Sequence, residues 1–117
     1  MISHIVMFRP RMDLSRADRD ALFKSFQTAL LAIPTIRAVR AGKRVSFGAG
    51  YERSDAESPQ FIVAIDFDDL SGLQSYLQHP AHVELAERFN RACAVTTAYD
   101  FEATGDVSGI RALLDAQ

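Results

Sequence analysis

The sequence has no tryptophan, a single cysteine and no strong excess of charge of either sign, and each absence narrows what the protein can be. Lysine and arginine number 13 against 15 aspartates and glutamates, a formal net charge of −2 at pH 7, so no basic field is available to hold a nucleic acid. Cys93 cannot form an internal disulfide, and no pair of cysteines has the spacing of a zinc site. We therefore expect a cytoplasmic protein that binds neither nucleic acid nor metal.

Long apolar runs are also missing. No segment approaches the ~20 apolar residues of a membrane-spanning helix. The N-terminal stretch MISHIVMFRPRMD places apolar residues before charge, which is the reverse of a secretory signal. A chain of 117 residues has room for one hydrophobic core. The sequence thus predicts one globular domain that does not interact with a membrane.

What the sequence does contain is a regular succession of strand-like and helical patterns. ISHIVMF and QFIVAIDF are apolar runs of strand length, AVTTAYDFE alternates, and IRAVRAGKRVSFG predicts a strand that is bent or bulged at Gly42. Helical periodicity predicts one helix from about Ser15 to Ala32, a short helix in DLSGLQSYLQ and another in PAHVELAERFNRA. The order β-α-β-β-α(α)-β is that of a ferredoxin-like α+β subunit, a four-stranded antiparallel sheet with helices on one face.

The first and third strands carry apolar side chains on both of their faces. In ISHIVMF, Val6 and Phe8 share one face with His4, while Ile5 and Met7 lie on the other. Helices cover only one side of such a sheet, so the second side of a lone subunit would be a large exposed apolar patch. Two copies packed face to face would bury both patches. We therefore expect a homodimer joined through its sheet faces, with a barrel-like lumen between the two sheets.

Two segments lie outside this pattern. GAGYERSDAESP, residues 48–59, is rich in glycine, polar and without periodicity, which predicts a mobile loop. After the closing strand, Val107, Ile110, Leu113 and Leu114 recur at helical spacing. We predict a domain over residues 1–103 and a C-terminal extension over residues 104–117 that forms a short helix.

The stretch YLQHPAHVELAERF contains two of the three histidines of the chain close to a tyrosine. His79 stands at the junction of two helices, where we expect it mainly to cap the second one, although it is also a candidate ligand contact. His82 lies beside the apolar stripe of that second helix, and Tyr76 ends the preceding one. His4 is on the first strand. Interior histidines usually have structural roles, but these could also line an apolar pocket that binds a small molecule.

Several segments together resemble the stress-responsive A/B barrel (Dabb) domain family over about residues 3–102: HIVMFRPR, IPTIRAVRAGKRVS, FIVAIDFDDLSGLQSYLQHPAHVELAERF and AYDFE. The resemblance implies a ferredoxin-like subunit that dimerises through its sheets into an α/β barrel open to small ligands. One branch of the family closes linear polyketides into aromatic rings, with a base that matches His82 and an assisting tyrosine that matches Tyr76. Positions that match its pocket-lining sites are His4, Val6, Phe8, Leu22, Phe26, Val63 and Leu77.

Two kinds of function remain open at this point. The main prediction is a small dimeric protein with a hydrophobic small-ligand pocket, which need not be catalytic. The alternative is a cofactor-independent enzyme of the aldol-cyclase or lyase type that acts on a small hydrophobic carbonyl compound. There, His82 would remove a proton next to the carbonyl, and Tyr76 would donate a hydrogen bond to the developing enolate. Haem or quinone oxidation has no residue in its favour, and we expect no cofactor.

Overall fold

The computed structural model describes residues 1–53 and 55–117. Over these residues the chain forms four strands and four helices. In chain order they are β1 (Ile2–Pro10), α1 (Arg16–Ala32), β2 (Ile36–Lys43), β3 (Phe61–Phe67), α2 (Leu70–Gln78), α3 (Pro80–Ala92), β4 (Cys93–Glu102) and α4 (Val107–Asp115). The predicted ferredoxin-like α+β fold is confirmed.

The strands form one antiparallel sheet in the order β2-β3-β1-β4, so β1 is central. Directly paired residues project to the same face of a sheet. His4 on β1 pairs with Ile65 on β3 and with Asp100 on β4. This register places the three side chains in one row on the face that the helices cover.

The helix-facing side of the sheet holds the core. Ile65 and Phe67 of β3 are at most 1% exposed. Helix α1 begins where the hydroxyl of Ser15 accepts a hydrogen bond from the amide of Asp18 at 3.1 Å. It ends before Pro34, since a residue that precedes proline avoids helical backbone angles. The buried cluster comprises Ala29, Ile33, Val63, Ile65, Phe67, Leu73, Tyr76 and Leu85.

Strand β2 is shorter than the sequence predicted, and its register shift does not lie at Gly42. It ends at Lys43 instead of continuing through RVSFG. The register shift falls between Ile36 and Ala38 and the pairing is regular from Ala38 to Lys43, so the prediction of a β-bulge at Gly42 was wrong. Gly42 pairs with Ile62, and a Cβ added to it would lie 3.3 Å from Cγ2 of Ile62. The glycine therefore permits close packing between two strands.

No described helix or strand of the single subunit covers the other face of the sheet. We call it the open face; its apolar side chains are those of Ile5, Met7, Ile62, Ala64, Tyr99 and Phe101. Tyr99 is 55% and Phe101 50% exposed, and their ring centroids lie 6.3 Å apart. An apolar sheet face of this kind is typical of a surface that another protein surface covers.

Helix α4 follows β4 after a short turn, and none of its residues is buried. Among the helices that the structure describes, none combines the length and the apolar character needed to cross a bilayer.

Candidate functional site

A single residue joins helices α2 and α3. His79 ends α2 and caps α3, where its Nδ1 accepts a hydrogen bond from the amide of Ala81 at 3.1 Å. Pro80 takes the first position of α3, which tolerates a residue without an amide hydrogen. Because the turn is so short, side chains three residues before and after His79 meet. The ring centroids of Tyr76 and His82 lie 4.5 Å apart.

His82 is held in a form that can accept a proton. Its Nδ1 lies 3.1 Å from the carbonyl oxygen of Leu77, and a carbonyl only accepts, so Nδ1 carries the hydrogen and donates. The lone pair of the neutral ring is then on Nε2. Partial burial lowers the pKa of His82, the bond to Leu77 opposes this, and the neighbouring His4 lowers the pKa further. The imidazole is therefore mainly neutral near pH 7, as a general base must be.

Tyr76 lies between two histidine rings. Its centroid is 5.8 Å from that of His4 and 4.5 Å from that of His82, and the residue is only 3% exposed. Burial raises the pKa of Tyr76 to about 12. The phenol therefore keeps its hydrogen at any ordinary pH and can serve as a hydrogen-bond donor.

Asp100 is a residue of the site that the sequence analysis did not identify. Its Oδ1 lies 2.6 Å from Nδ1 of His4, which is 7% exposed. Since a carboxylate only accepts, the Nδ1 hydrogen of His4 points to Asp100, and Nε2 is the ring nitrogen left for another partner. Alternation along β4 places Asp100 on the face of the sheet opposite to that of Tyr99 and Phe101. This was the sequence signal that could have identified Asp100 as a site residue. Its pairing with β1 was needed to bring it to His4.

These side chains line a cavity of about 220 Å³ between the sheet and helix α3. Its polar corner is formed by His4, Tyr76 and His82. The rest of the lining is mainly apolar, with contributions from Val6, Phe26, Val63, Ile65, Leu77, Leu85, Ala86, Phe89 and Ala98; Asn90 and Thr96 also line it. Within residues 1–53 and 55–117, no group of three or more His, Cys, Asp and Glu side chains converges to hold a metal ion.

The structure brings most of the sequence-predicted site residues to this cavity: His4, Val6, Phe26, Val63, Tyr76, Leu77 and His82. Three predicted residues lie outside its lining. Phe8 packs against Phe61 and Phe89, with ring centroids 5.5 and 4.6 Å apart. Leu22 lines grooves on the surface beside α1. His79 caps α3 with its ring nitrogen, as its position before proline indicated.

The chain matches the family model described as the Stress responsive A/B Barrel Domain over residues 2–103. The chain belongs to this family. It is also similar to olivetolic acid cyclase of Cannabis sativa, 22% identical over 100 residues, which covers 86% of this chain and 94% of that protein. The family resemblance inferred from HPAH and the flanking strands is thereby confirmed.

Two solved structures illustrate the fold of this A/B barrel protein. A hydroxynitrile lyase from Passiflora edulis superposes with a TM-score of 0.75 at 18% identity, covering 90% of this chain and 94% of that one. A protein from Thermobifida fusca, described as dimeric and ferredoxin-like, gives a TM-score of 0.66 at 22% identity, covering 87% and 90%. At these identities the likeness establishes the fold alone.

Proposed function

We propose that this A/B barrel protein binds a small, largely apolar carbonyl compound in the cavity and removes a proton from the carbon next to the carbonyl group. The observation that carries the proposal is the pairing of a neutral His82, whose Nε2 is the ring nitrogen free to accept a proton, with a protonated Tyr76. The cavity of about 220 Å³ is smaller than the ~300–1,000 Å³ of pockets for drug-sized ligands. The ligand class is therefore a compact molecule.

Each side chain of the polar corner, His4, Tyr76 and His82, has one role in the proposed reaction. Nε2 of His82 takes the proton, and the hydroxyl of Tyr76 donates a hydrogen bond to the carbonyl oxygen as negative charge develops on it. His4, oriented by Asp100, offers a second polar contact. The enolate then either attacks a second carbonyl of the same molecule or expels a leaving group. The proton held by His82 returns to the product, so no cofactor is consumed.

One relative is in accord with this reaction class. It is named a cyclase and is 22% identical over 100 residues. Its name supports the proposal without specifying a substrate for this chain.

The proposal includes a homodimer joined through the open face. Its support is the exposed apolar surface around Tyr99 and Phe101, together with the neighbours described as dimeric. Burial of large apolar side chains is the main favourable term in such association.

Hydrogen exchange of a simple ketone tests the chemistry without knowledge of the natural substrate. Acetophenone in deuterium oxide exchanges its methyl hydrogens slowly, and NMR follows the loss of that signal. We expect the protein to accelerate the exchange and His82→Asn to reduce the acceleration by ~10²–10⁴-fold, the usual contribution of a general base. His79→Asn is the matched control, because asparagine keeps the helix cap and His79 lies outside the cavity lining.

Three outcomes would count against this mechanism. Equal exchange by the His82→Asn and wild-type proteins would remove His82 as the base. Saturable binding of acetophenone by the wild type, without exchange, would favour the non-catalytic ligand-binding alternative. Equal losses in both histidine variants would show that the helix junction, and not the base, had been disturbed.

A further inference from the structure

Two polar side chains that line the cavity, those of Asn90 and Thr96, take no part in the proposed reaction. Both residues are exposed as well as lining the cavity, which places them at its rim. The side-chain amide of Asn90 has no hydrogen-bond partner among the residues that the structure describes. The hydroxyl of Thr96 forms a hydrogen bond with the thiol of Cys93, and a hydroxyl can accept a second bond at the same time. Both groups are therefore able to bond to a ligand.

Asn90 lies at the far end of the side of α3 that begins with His82. His82, Ala86 and Asn90 follow one another at a spacing of four residues, so they share one side of the helix, and all three line the cavity. Since a helix rises by ~1.5 Å per residue, the backbone positions of His82 and Asn90 are about 12 Å apart along its axis. The proposed base and the amide are thus at opposite ends of one wall.

Thr96 has the corresponding position on the facing wall. It pairs with Phe8 of β1, which is ~13 Å along the strand from His4 at ~3.3 Å per residue. The ring of Phe8 contacts that of Phe89, the residue before Asn90, with centroids 4.6 Å apart. Thr96 and Asn90 therefore meet at the same end of the cavity, away from the polar corner that contains His4.

Between these two polar ends the walls of the cavity are apolar. Ala86 of α3 and Ala98 of β4 both line it, and their small side chains leave room between the helix and the strand. Of the residues that the structure describes, no lysine, arginine, aspartate or glutamate lines the cavity. A ligand that spans it meets hydrogen-bonding groups at both ends, apolar surface between them, and no charged partner for an anion at the Asn90 end.

We propose that the ligand of this cavity carries a second, uncharged oxygen group, such as a hydroxyl, which Asn90 and Thr96 bind while the carbonyl group meets Tyr76 and His82. This inference rests on the proposed function and narrows its substrate class. Allowing a hydrogen bond of about 3 Å at each end, the two oxygens of the ligand are roughly 6–10 Å apart. A carboxylate at the far end would find no cation among the lining residues, which favours an uncharged group.

A matched pair of ketones tests the inference in the hydrogen-exchange assay. In para-(hydroxymethyl)acetophenone a hydroxyl replaces one methyl group of para-ethylacetophenone, and the two molecules have nearly the same shape. The double variant Asn90→Leu/Thr96→Val approximately keeps the shape of both side chains and removes their hydrogen bonds. We expect it to raise the KM and the NMR-titrated Kd of the hydroxymethyl ketone roughly tenfold, since hydrogen bonds to the ligand are lost, and to leave those of the ethyl ketone within about twofold.

Thr97→Val is the matched control for the strand. Thr97 is the next residue of β4 and pairs with Met7 on the open face, so the variant removes the same hydroxyl away from the cavity. It should leave the ratio of the two KM values unchanged. A change in that ratio as large as in the double variant would overturn the inference, because the effect would then not require contact with the ligand.

The proposed reaction and the inferred ligand class fail in distinguishable ways. If the wild type exchanges both ketones and the double variant shifts both KM values equally, the reaction stands and the inference is wrong. If neither ketone exchanges but the Kd of the hydroxymethyl ketone alone rises in the double variant, the reaction is overturned and the ligand class is supported. Tighter wild-type binding of para-acetylbenzoate than of the hydroxymethyl ketone would assign the far end to a carboxylate and overturn the inference. Binding of neither ketone overturns both.

Discussion

Burial acts in opposite directions on the two ring side chains at the helix junction. It raises the pKa of Tyr76 to about 12 and lowers the pKa of His82 below its ordinary value of 6.5. Both groups therefore stay uncharged over the same wide pH range, Tyr76 as a hydrogen-bond donor and His82 as a proton acceptor. A pair of groups tuned in this way is suited to general acid–base chemistry.

The lowered pKa of His82 predicts a pH profile. In ketone exchange, kcat/KM should rise from acid pH with an apparent pKa below 6.5 and then stay level into mildly alkaline solution. The sign follows from the base role, because protonation at low pH removes the acceptor. NMR exchange rates measured across pH check this. An inflection above 6.5 would show that another group acts as the base.

The bond between His4 and Asp100 predicts a measurable stability contribution. Asp100→Asn removes the charge that strengthens the 2.6 Å contact. Because the Asp100 side chain is 46% exposed and screened by water, we expect a loss of about 1 kcal/mol in the free energy of unfolding, measured by urea denaturation. Glu102→Gln, two residues along the same strand, is the control and should change little. Equal losses in the two variants would mean that the His4 contact contributes nothing.

For individual residues, the sequence predicted the part of the site whose residues are close together along the chain. Tyr76 and His82 could be placed together because they flank one helix junction. Asp100 could not be paired with His4, because the two residues are 96 positions apart and meet only through the register of β1 against β4. Phe8 was on the correct face of its strand, but its aromatic neighbours fill the space around it.

Helix α2 carries Tyr76, and two hydrogen bonds hold the start of this helix. Its N-cap is Asp69, whose Oδ1 accepts from the amide of Gly72 at 2.8 Å. The hydroxyl of Thr35 donates to the carbonyl of Gly72 at 2.9 Å and ties the helix to the turn before β2. Tyr76 lies four residues beyond Gly72, so these bonds set the position of the phenol.

Removal of two helix caps should separate stability from function. Asp69→Ala and Ser15→Ala each delete a side chain that caps a helix, and each should cost about 1 kcal/mol of unfolding free energy. Only α2 carries Tyr76, so only Asp69→Ala should also slow ketone exchange. Urea denaturation and NMR exchange measure the two effects. If Ser15→Ala slowed exchange equally, the loss would come from general loosening of the subunit.

At the level of elements, alternation predicted the strands well except for the end of β2. Val45 and Phe47 continue an apolar alternation but are 76% and 72% exposed. A strand needs a partner, and Lys43 already pairs with Phe61, the first residue of β3. The apolar alternation therefore continues beyond the last residue that β3 can pair with. No local signal in the sequence reveals where that pairing ends.

For the whole molecule, the open face is the feature with the largest consequence. It combines aliphatic side chains of the central strands with the two aromatic rings of β4. The helices cover only the opposite face of the sheet. The sequence predicted this from apolar residues on both sides of β1 and β3. It could not give the register of β4, which adds Tyr99 and Phe101 to the same surface.

A charge placed on the open face should dissociate the proposed dimer. Tyr99→Glu removes a half-exposed ring and introduces a carboxylate that the interface would have to desolvate. Size-exclusion chromatography with light scattering should show single chains at micromolar concentration. Met12→Glu is the control, because Met12 is 97% exposed and lies in the turn before α1. A dimer that survives Tyr99→Glu would place the contact elsewhere.

The shared cap at His79 makes the contact between Tyr76 and His82 a local property of the chain. The separation of phenol and imidazole is set by a few consecutive residues, whereas much of the apolar wall comes from β1, β3, β4 and α1, which lie far away in sequence. Substitutions in those strands and in α1 can therefore reshape which molecules fit without moving the two rings. Under the proposed reaction, selectivity would be set mainly in one part of the chain and reactivity in another, and each could be redesigned alone.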